Sequence, residues 1–168
     1  MQLSLIVAMA ANRAIGKDGK IPWQGMLRGE ALFKKYTVGK AVVMGRTTWE
    51  GLPEKTRPLP LRLNIVLTSH QLHNYDCLAV PSIDEALKAT MLETFYDEVV
   101  FIGGQSVYET VLPVCDTLYM TELEGIFPGD RFFPYIDISE WEVAQEDYYP
   151  LVAEVRPVAY TFKVLKRR

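Results

Sequence analysis

The chain has 168 residues, the length of one ordinary domain and too few for two that each bury a substantial core. Hydrophobic residues make up 49% of it and charged residues 23%, a globular balance that excludes a disordered chain, a collagen-like repeat and a coiled-coil rod. With 18 Lys and Arg against 21 Asp and Glu, the net charge of −3 supplies no basic field for a phosphate backbone and speaks against nucleic acid as a partner.

In chain order, residues 3–9 are apolar and superficially like a signal peptide, yet no basic segment precedes them, so we read them as a buried first strand. The loop 10–25, with Gly16, Gly19, Pro22 and Gly25, is too long for a connector and too irregular for an element, which marks it as functional. There follow a helix over 27–37, a strand over 41–44, a helix over 47–52, a strand over 64–68, a helix over 82–92, a strand over 98–102 and a helix over 105–112. Three of these four early strands lack period-2 alternation, as strands covered on both faces do. Ser82 stands three residues before Glu85, a capping-box spacing. Alternating strands and helices predict an α/β fold with a doubly wound, mostly parallel sheet. After residue 116 the stretches 117–123, 141–146 and 158–165 are richer in aromatic and β-branched residues and read as antiparallel strands at one edge of that sheet.

No apolar run approaches the roughly 20 residues of a membrane span. Cys77 and Cys115 fall in no zinc or CxxC pattern and fit a reducing compartment, with one disulfide as the alternative. No metal is expected. A single cytoplasmic, monomeric domain over 1–168 is the resulting expectation.

Three constellations could carry chemistry. The strand ending in Gly103-Gly104 and opening a helix at Gln105 lets backbone approach a ligand and aims helix N–H groups at phosphate, although a plain tight turn has the same sequence and no GxGxxG occurs. The strand ending in Gly45 opens a second helix, with Thr47 or Thr48 as its cap and the Arg46 fork beside it, a set suited to a pyrophosphate. After Ile21-Pro22-Trp23 comes Glu30 among apolar neighbours, either an inward carboxylate that grips an amidine-like ring edge or an exposed partner for Lys34. His70 and His73 read as a surface turn, and Glu93, Asp97 and Glu98 as solvated surface.

Together these segments resemble dihydrofolate reductase nearly end to end. The residues that carry the resemblance are Leu5 to Ala10 with Ile15-Gly16, Ile21-Pro22-Trp23, Phe33-Lys34 with Thr37, Val43 to Glu50, Leu59-Pro60 with Arg62-Leu63-Asn64, Ile102-Gly103-Gly104 with Val107-Tyr108, Tyr119-Met120-Thr121, and Gly129-Asp130 with Phe133-Pro134. The resemblance implies hydride transfer from NADPH to 7,8-dihydrofolate, with antifolates as inhibitors. It implies that Glu30 is the acid at the pterin, helped by Trp23 and Thr121. Ile6, Val7, Phe33, Leu52, Ile102, Tyr108 and Thr121 would line the substrate pocket, and Arg62 would bind the folate glutamate. On the cofactor side it implies Ala8, Ile15, Gly16, Ile102 and Tyr108 around the nicotinamide. Gly45, Arg46, Thr47, Thr48, Gly103, Gly104, Gln105, Ser106 and Val107 would hold the phosphates, with Leu67, Thr68, Ser69 and His70 near the adenosine. A cis Gly103-Gly104 peptide and closure of the loop 10–25 over the nicotinamide are further implications.

Some residues depart from the family pattern. Glu30 stands three residues before Phe33, where the family's acid stands four before, and Gly29 occupies that place. Gln24 to Leu27 lengthen the connection into the helix, Leu61 and Gln105 stand where glycine is frequent, and Pro81 replaces a basic contact of some relatives. The longer connection is compatible with an antifolate-insensitive variety. Alternatives are the related reductase of a ribosylated pyrimidine in flavin synthesis, which the Ile-Pro-Trp and carboxylate segment disfavours, and an NADPH-binding module without turnover.

Overall fold

A computed structural model describes residues 1–27, 29–70, 72 and 77–168. Its centre is an eight-stranded sheet in the order β5-β4-β3-β6-β1-β7-β10-β9. The early strands are β1 (Gln2–Met9), β3 (Ala41–Gly45), β4 (Leu63–Leu67), β5 (Leu78–Val80) and β6 (Glu98–Phe101), and the later ones are β7 (Thr117–Leu123), β9 (Trp141–Tyr149) and β10 (Tyr160–Arg167). A separate two-stranded ribbon pairs β2 (Ala14–Gly16) with β8 (Arg131–Phe132). The helices are α1 (Glu30–Thr37), α2 (Arg46–Gly51), α3 (Ile83–Leu92) and α4 (Gln105–Val111).

The parallel strands bury both faces, which is why their sequences do not alternate. One face of the sheet carries Leu5, Val43, Ile65, Val99 and Phe101 against Ala86 of α3 and Val107 and Val111 of α4. The other carries Ile6, Val42, Met44, Val66 and Val100 against Phe33 and Tyr36 of α1 and Trp49 of α2. Each large side chain so buried is worth about 1.5–3 kcal/mol. A third cluster gathers Ala10, Ala14, Trp23, Leu123 and Tyr160 under the loop 10–25.

Several expectations are corrected. β7 is no antiparallel edge strand, because α4 returns the chain across the sheet and β7 runs parallel to β1, from Ser4↔Thr117 to Met9↔Glu122. Within the eight-stranded sheet, among the described residues, only its pairing with β10 and that of β10 with β9 are antiparallel. The loop 10–25 does contain an element, β2, which exists only because β8 supplies its partner. α1 starts at Glu30, after a run of turn residues in which Gly25 has φ +82. α2 starts at Arg46 with Gly45 at its N-cap, so Thr47 and Thr48 lie inside the first turn and cap nothing. Half of the expected capping box forms: Ser82 Oγ accepts from Glu85 N at 3.2 Å, while the Glu85 carboxylate pairs with Lys88 at 2.9 Å.

Glu98 is the largest correction. Glu93 and Asp97 are exposed, but Glu98 is buried at the start of β6. Its Oε1 accepts from Ser4 Oγ at 2.6 Å and Tyr119 Oη at 2.8 Å, and Lys40 Nζ lies 2.5 Å from Oε2. Neighbouring strand starts converge there, so the carboxylate is enclosed by partners from β1, β7 and the turn before β3.

Leu61 has φ 59 and is 80% exposed. A left-handed L-residue costs about 1–2 kcal/mol, and its side chain recovers nothing from burial here. Leu61→Gly is therefore expected to stabilise the chain by about 1 kcal/mol after glycine's own entropy is counted, as read by urea denaturation at unchanged m.

Candidate active site

The carboxyl ends of β3, β6 and β1 meet where the strand order reverses, the place at which open α/β sheets bind ligands. A cleft of about 1170 Å³ opens there. Gly45 to Thr48 form one wall and Gly104 to Val107 the other, so the two strand–glycine–helix junctions face a common space. Ile15 and Gly16 of β2, Leu52 and Leu67 complete the predicted residues that line it.

Glycine is required on this floor. The requirement falls on Gly103, whose φ is +115 and where a Cβ would meet Tyr108 Oη at 3.0 Å; one on Gly45 would make only ordinary contacts, with Gly103 O and Gly104 N at 3.9 Å. The Gly103-Gly104 peptide is cis, as the resemblance implied. Tyr108 is buried and donates from Oη to Ile6 O at 2.8 Å, and burial holds its phenol above the ordinary tyrosine range. It fixes the floor from below. Free N–H groups at two helix starts, the Arg46 guanidinium and backbone bare enough for close approach together suit a dinucleotide with its phosphates.

Four of the predicted substrate residues come together beside the cleft. Ile6, Phe33, Leu52 and Ile102 share one apolar cluster on the α1 face of the sheet. The Val7 side chain points the other way, into the α3–α4 core, so only its main chain is available on this side. Arg62 lies over the Phe33 ring at 5.7 Å, with Nε donating to Pro60 O at 2.8 Å and Nη1 to Thr37 Oγ1 at 3.0 Å. Burial pulls its pKa below the ordinary arginine value. Buried Asn64 holds the turn before it, bonding Leu59 N and O at 2.8 and 2.9 Å and Arg62 O at 3.0 Å. These contacts leave three of the five guanidinium N–H groups for a carboxylate.

Glu30 is exposed at the first position of α1, which corrects the reading of a carboxylate held inward in an apolar pocket. Gly29 precedes Phe33 by four residues on one helical stripe, and Glu30 stands about 100° away from it. Among the described residues no ion pair joins Glu30 to Lys34, and no hydrogen bond joins it to Trp23 or Thr121. Trp23 is buried with its ring 5.6 Å from that of Phe127, edge to face, and Thr121 is half-buried on β7 beside Ala8 of β1. Thr68, Ser69, His70 and Ala8 do not line the cleft; His70 is exposed, its N donating to Thr68 Oγ1 at 3.0 Å. His73 lies outside the described residues.

The cleft also contains residues that the sequence reading passed over. Ser82 and Ile83 enter it from the start of α3, and Lys20, Arg131 and Gln24 from the loop side. Their signal was present: β5 is a third strand that ends in a turn and opens a helix. Arg131 arrives through the β2–β8 pairing. That ribbon is closely fitted, since a Cβ on Gly129 would lie 2.7 Å from Ala14 Cβ. Gly129→Ala is expected to force β2 outward, costing about 1–3 kcal/mol and raising the KM for the cleft's ligand. Thermal denaturation and steady-state kinetics check it.

The family model described as dihydrofolate reductase matches residues 2–167. The dihydrofolate reductase of Haemophilus influenzae is 40% identical over 148 residues, 88% of each chain, and that of Buchnera aphidicola is 36% identical over 169 residues, 99% of each. Among solved structures, dihydrofolate reductase from Enterococcus faecalis, complexed with NADP(H) and RAB-propyl, superposes with a TM-score of 0.85 at 34% identity. That alignment covers 99% of this chain and 96% of the other.

Proposed function

This chain belongs to the dihydrofolate reductase family, and on that premise we propose that it reduces 7,8-dihydrofolate to 5,6,7,8-tetrahydrofolate with NADPH, using Glu30 for the proton and Arg62 for the substrate's tail. The observation that carries the reading is the pair of strand–glycine–helix junctions facing each other across one cleft, with Arg62 held over the Phe33 ring on the adjoining α1 face of the sheet.

Bound NADPH supplies the hydride. Helix-start N–H groups after Gly45 and Gly104, with Arg46, would hold its phosphates, and Gly103 and Gly104, backed by Tyr108, would form the floor beneath it. The pterin lies against Ile6, Phe33 and Ile102, and covering Glu30 in this way removes water from a carboxylate that is exposed in the open site. Glu30, at the first position of α1, holds the amino-pyrimidine edge and favours protonation of the imine nitrogen through water steadied by Trp23 and Thr121. The three remaining N–H groups of Arg62 take the α-carboxylate of the glutamate.

The whole chain works as one domain, a monomer in the cytoplasm. Supporting the single domain is the eight-stranded sheet, whose strands run from Gln2 to Arg167; among the described residues no helix is long and apolar enough to cross a membrane. The test is loss of NADPH absorbance when 7,8-dihydrofolate is added to purified protein. Turnover is expected. Tight NADPH binding without turnover would instead identify a cofactor-binding module. In the same assay the lengthened connection at 24–27 is expected to leave turnover insensitive to trimethoprim.

A further inference from the structure

The amide of Gln105, first residue of α4, is fixed at both ends. Its Oε1 accepts from Phe132 N at 2.9 Å and its Nε2 donates to Glu109 Oε1 at 2.8 Å, one turn along the helix. Phe132 belongs to β8 and is the register partner of Ala14 in β2. The ribbon is tied onward, because Asp130 Oδ2 accepts from Asp18 N at 3.0 Å and Asp130 N donates to Gly16 O at 2.9 Å. One side chain thus connects the helix start that forms a wall of the cleft to the ribbon that forms its opposite rim. Gln105 and Arg131 both line the cleft. Glycine at position 105 could not make this connection, and a hydrocarbon side chain would leave Phe132 N without its acceptor.

We propose that Gln105 is a positioning residue that couples occupation of the phosphate-binding helix start to closure of the β2–β8 ribbon over the cleft. The inference rests on reading the cleft as the NADPH site. A ligand that orders the first turn of α4 orders Gln105, whose Oε1 then holds β8, and β8 holds β2 through their ladder. Glu109 keeps the carboxamide turned so that oxygen, not nitrogen, faces Phe132 N.

The test is residue-resolved amide exchange with and without NADPH in wild type, Gln105→Ala and Glu109→Ala. In wild type, NADPH is expected to slow exchange both at the start of α4 and at Phe132 and Asp18. In Gln105→Ala the α4 protection is expected to persist while the NADPH-dependent protection at Phe132 and Asp18 falls about three- to tenfold, the change one such hydrogen bond carries. NADPH release, followed by stopped-flow displacement, should quicken by a similar factor. Glu109→Ala, which leaves Gln105 in place but frees its amide, should show a smaller change in the same direction. A merely structural role would lower melting temperature and basal protection but leave the NADPH-dependent difference intact, and that result overturns the proposal. Absence of any protection at α4 in wild type would overturn the cofactor reading of the cleft, and this inference with it.

Discussion

Glu30→Gln is expected to lower turnover of dihydrofolate near neutral pH by about a hundredfold or more, the range in which a positioned acid or base contributes, while NADPH binding and melting temperature stay near wild type. The side chain is exposed at the first turn of α1 and contributes no ion pair among the described residues, so its amide isostere removes little from the fold. What it removes is the anionic partner of the amino-pyrimidine edge and the route by which the imine nitrogen is protonated. Wild type and variant are compared by NADPH absorbance and by single-turnover mixing. Equal rates would take the acid away from Glu30 and leave the activity standing. A second variant locates the carboxylate more closely. A Cβ at Gly29 has no heavy atom nearer than Leu27 Cβ at 4.0 Å, so the position accepts a side chain at its Cβ and Gly29→Asp is the variant of choice. The double substitution Gly29→Asp with Glu30→Gln should recover part of the lost turnover if the inward stripe with Phe33 is where the carboxylate acts. No recovery would mean that Glu30 works from its own, rotated direction.

Glu98→Ala is expected to cost about 3–5 kcal/mol, the range for breaking a buried pair by removing one partner. The loss has three parts: Lys40 keeps a charge with no counter-ion at 2.5 Å, and the hydroxyls of Ser4 and Tyr119 lose their acceptor. In a chain of this length each kcal/mol is worth about 2–4 °C, so melting should fall by about 10 °C. The cluster lies at the amino ends of the strands, opposite the cleft, so KM values at low temperature should be unchanged. A melting temperature within a degree or two of wild type would show that the cluster is solvated after all. A pH effect accompanies it. Burial first, and the Glu98 carboxylate next, hold Tyr119 above the ordinary tyrosine range. Unfolded chains shed that proton near pH 10 while folded ones retain it, so the folded state binds more protons and stability falls as pH rises beyond that point. Tyr108, raised by burial, adds in the same sense.

The misreading of Glu98 and the two readings left open for Glu30, inward or exposed, have a common cause. In sequence, Glu98 sits beside Asp97 near Glu93 and looks like solvated surface, whereas Glu30 sits among apolar residues and looks inward. Exposure is settled by which strands and helices arrive beside a residue, and the partners of Glu98 come from Ser4, Lys40 and Tyr119, all distant in the chain. Glu30 is placed by where α1 begins, and the turn-rich stretch before it delays that start until residue 30.

Sequence by itself determined the alternation of strands and helices, the burial of the central strands on both faces, and the two glycine junctions at Gly45 and Gly103-Gly104, because periodicity, β-branching and glycine act within a few residues. It also determined the family, through motifs spread in order along almost the whole chain. Only the tertiary structure decided that β7 runs parallel to β1, that β2 and β8 form a ribbon, that Val7 turns from the pocket, and that Gln105 reaches Phe132. Each of those depends on a partner at least 27 residues away or on the direction in which a crossover returns the chain, and no local preference encodes either.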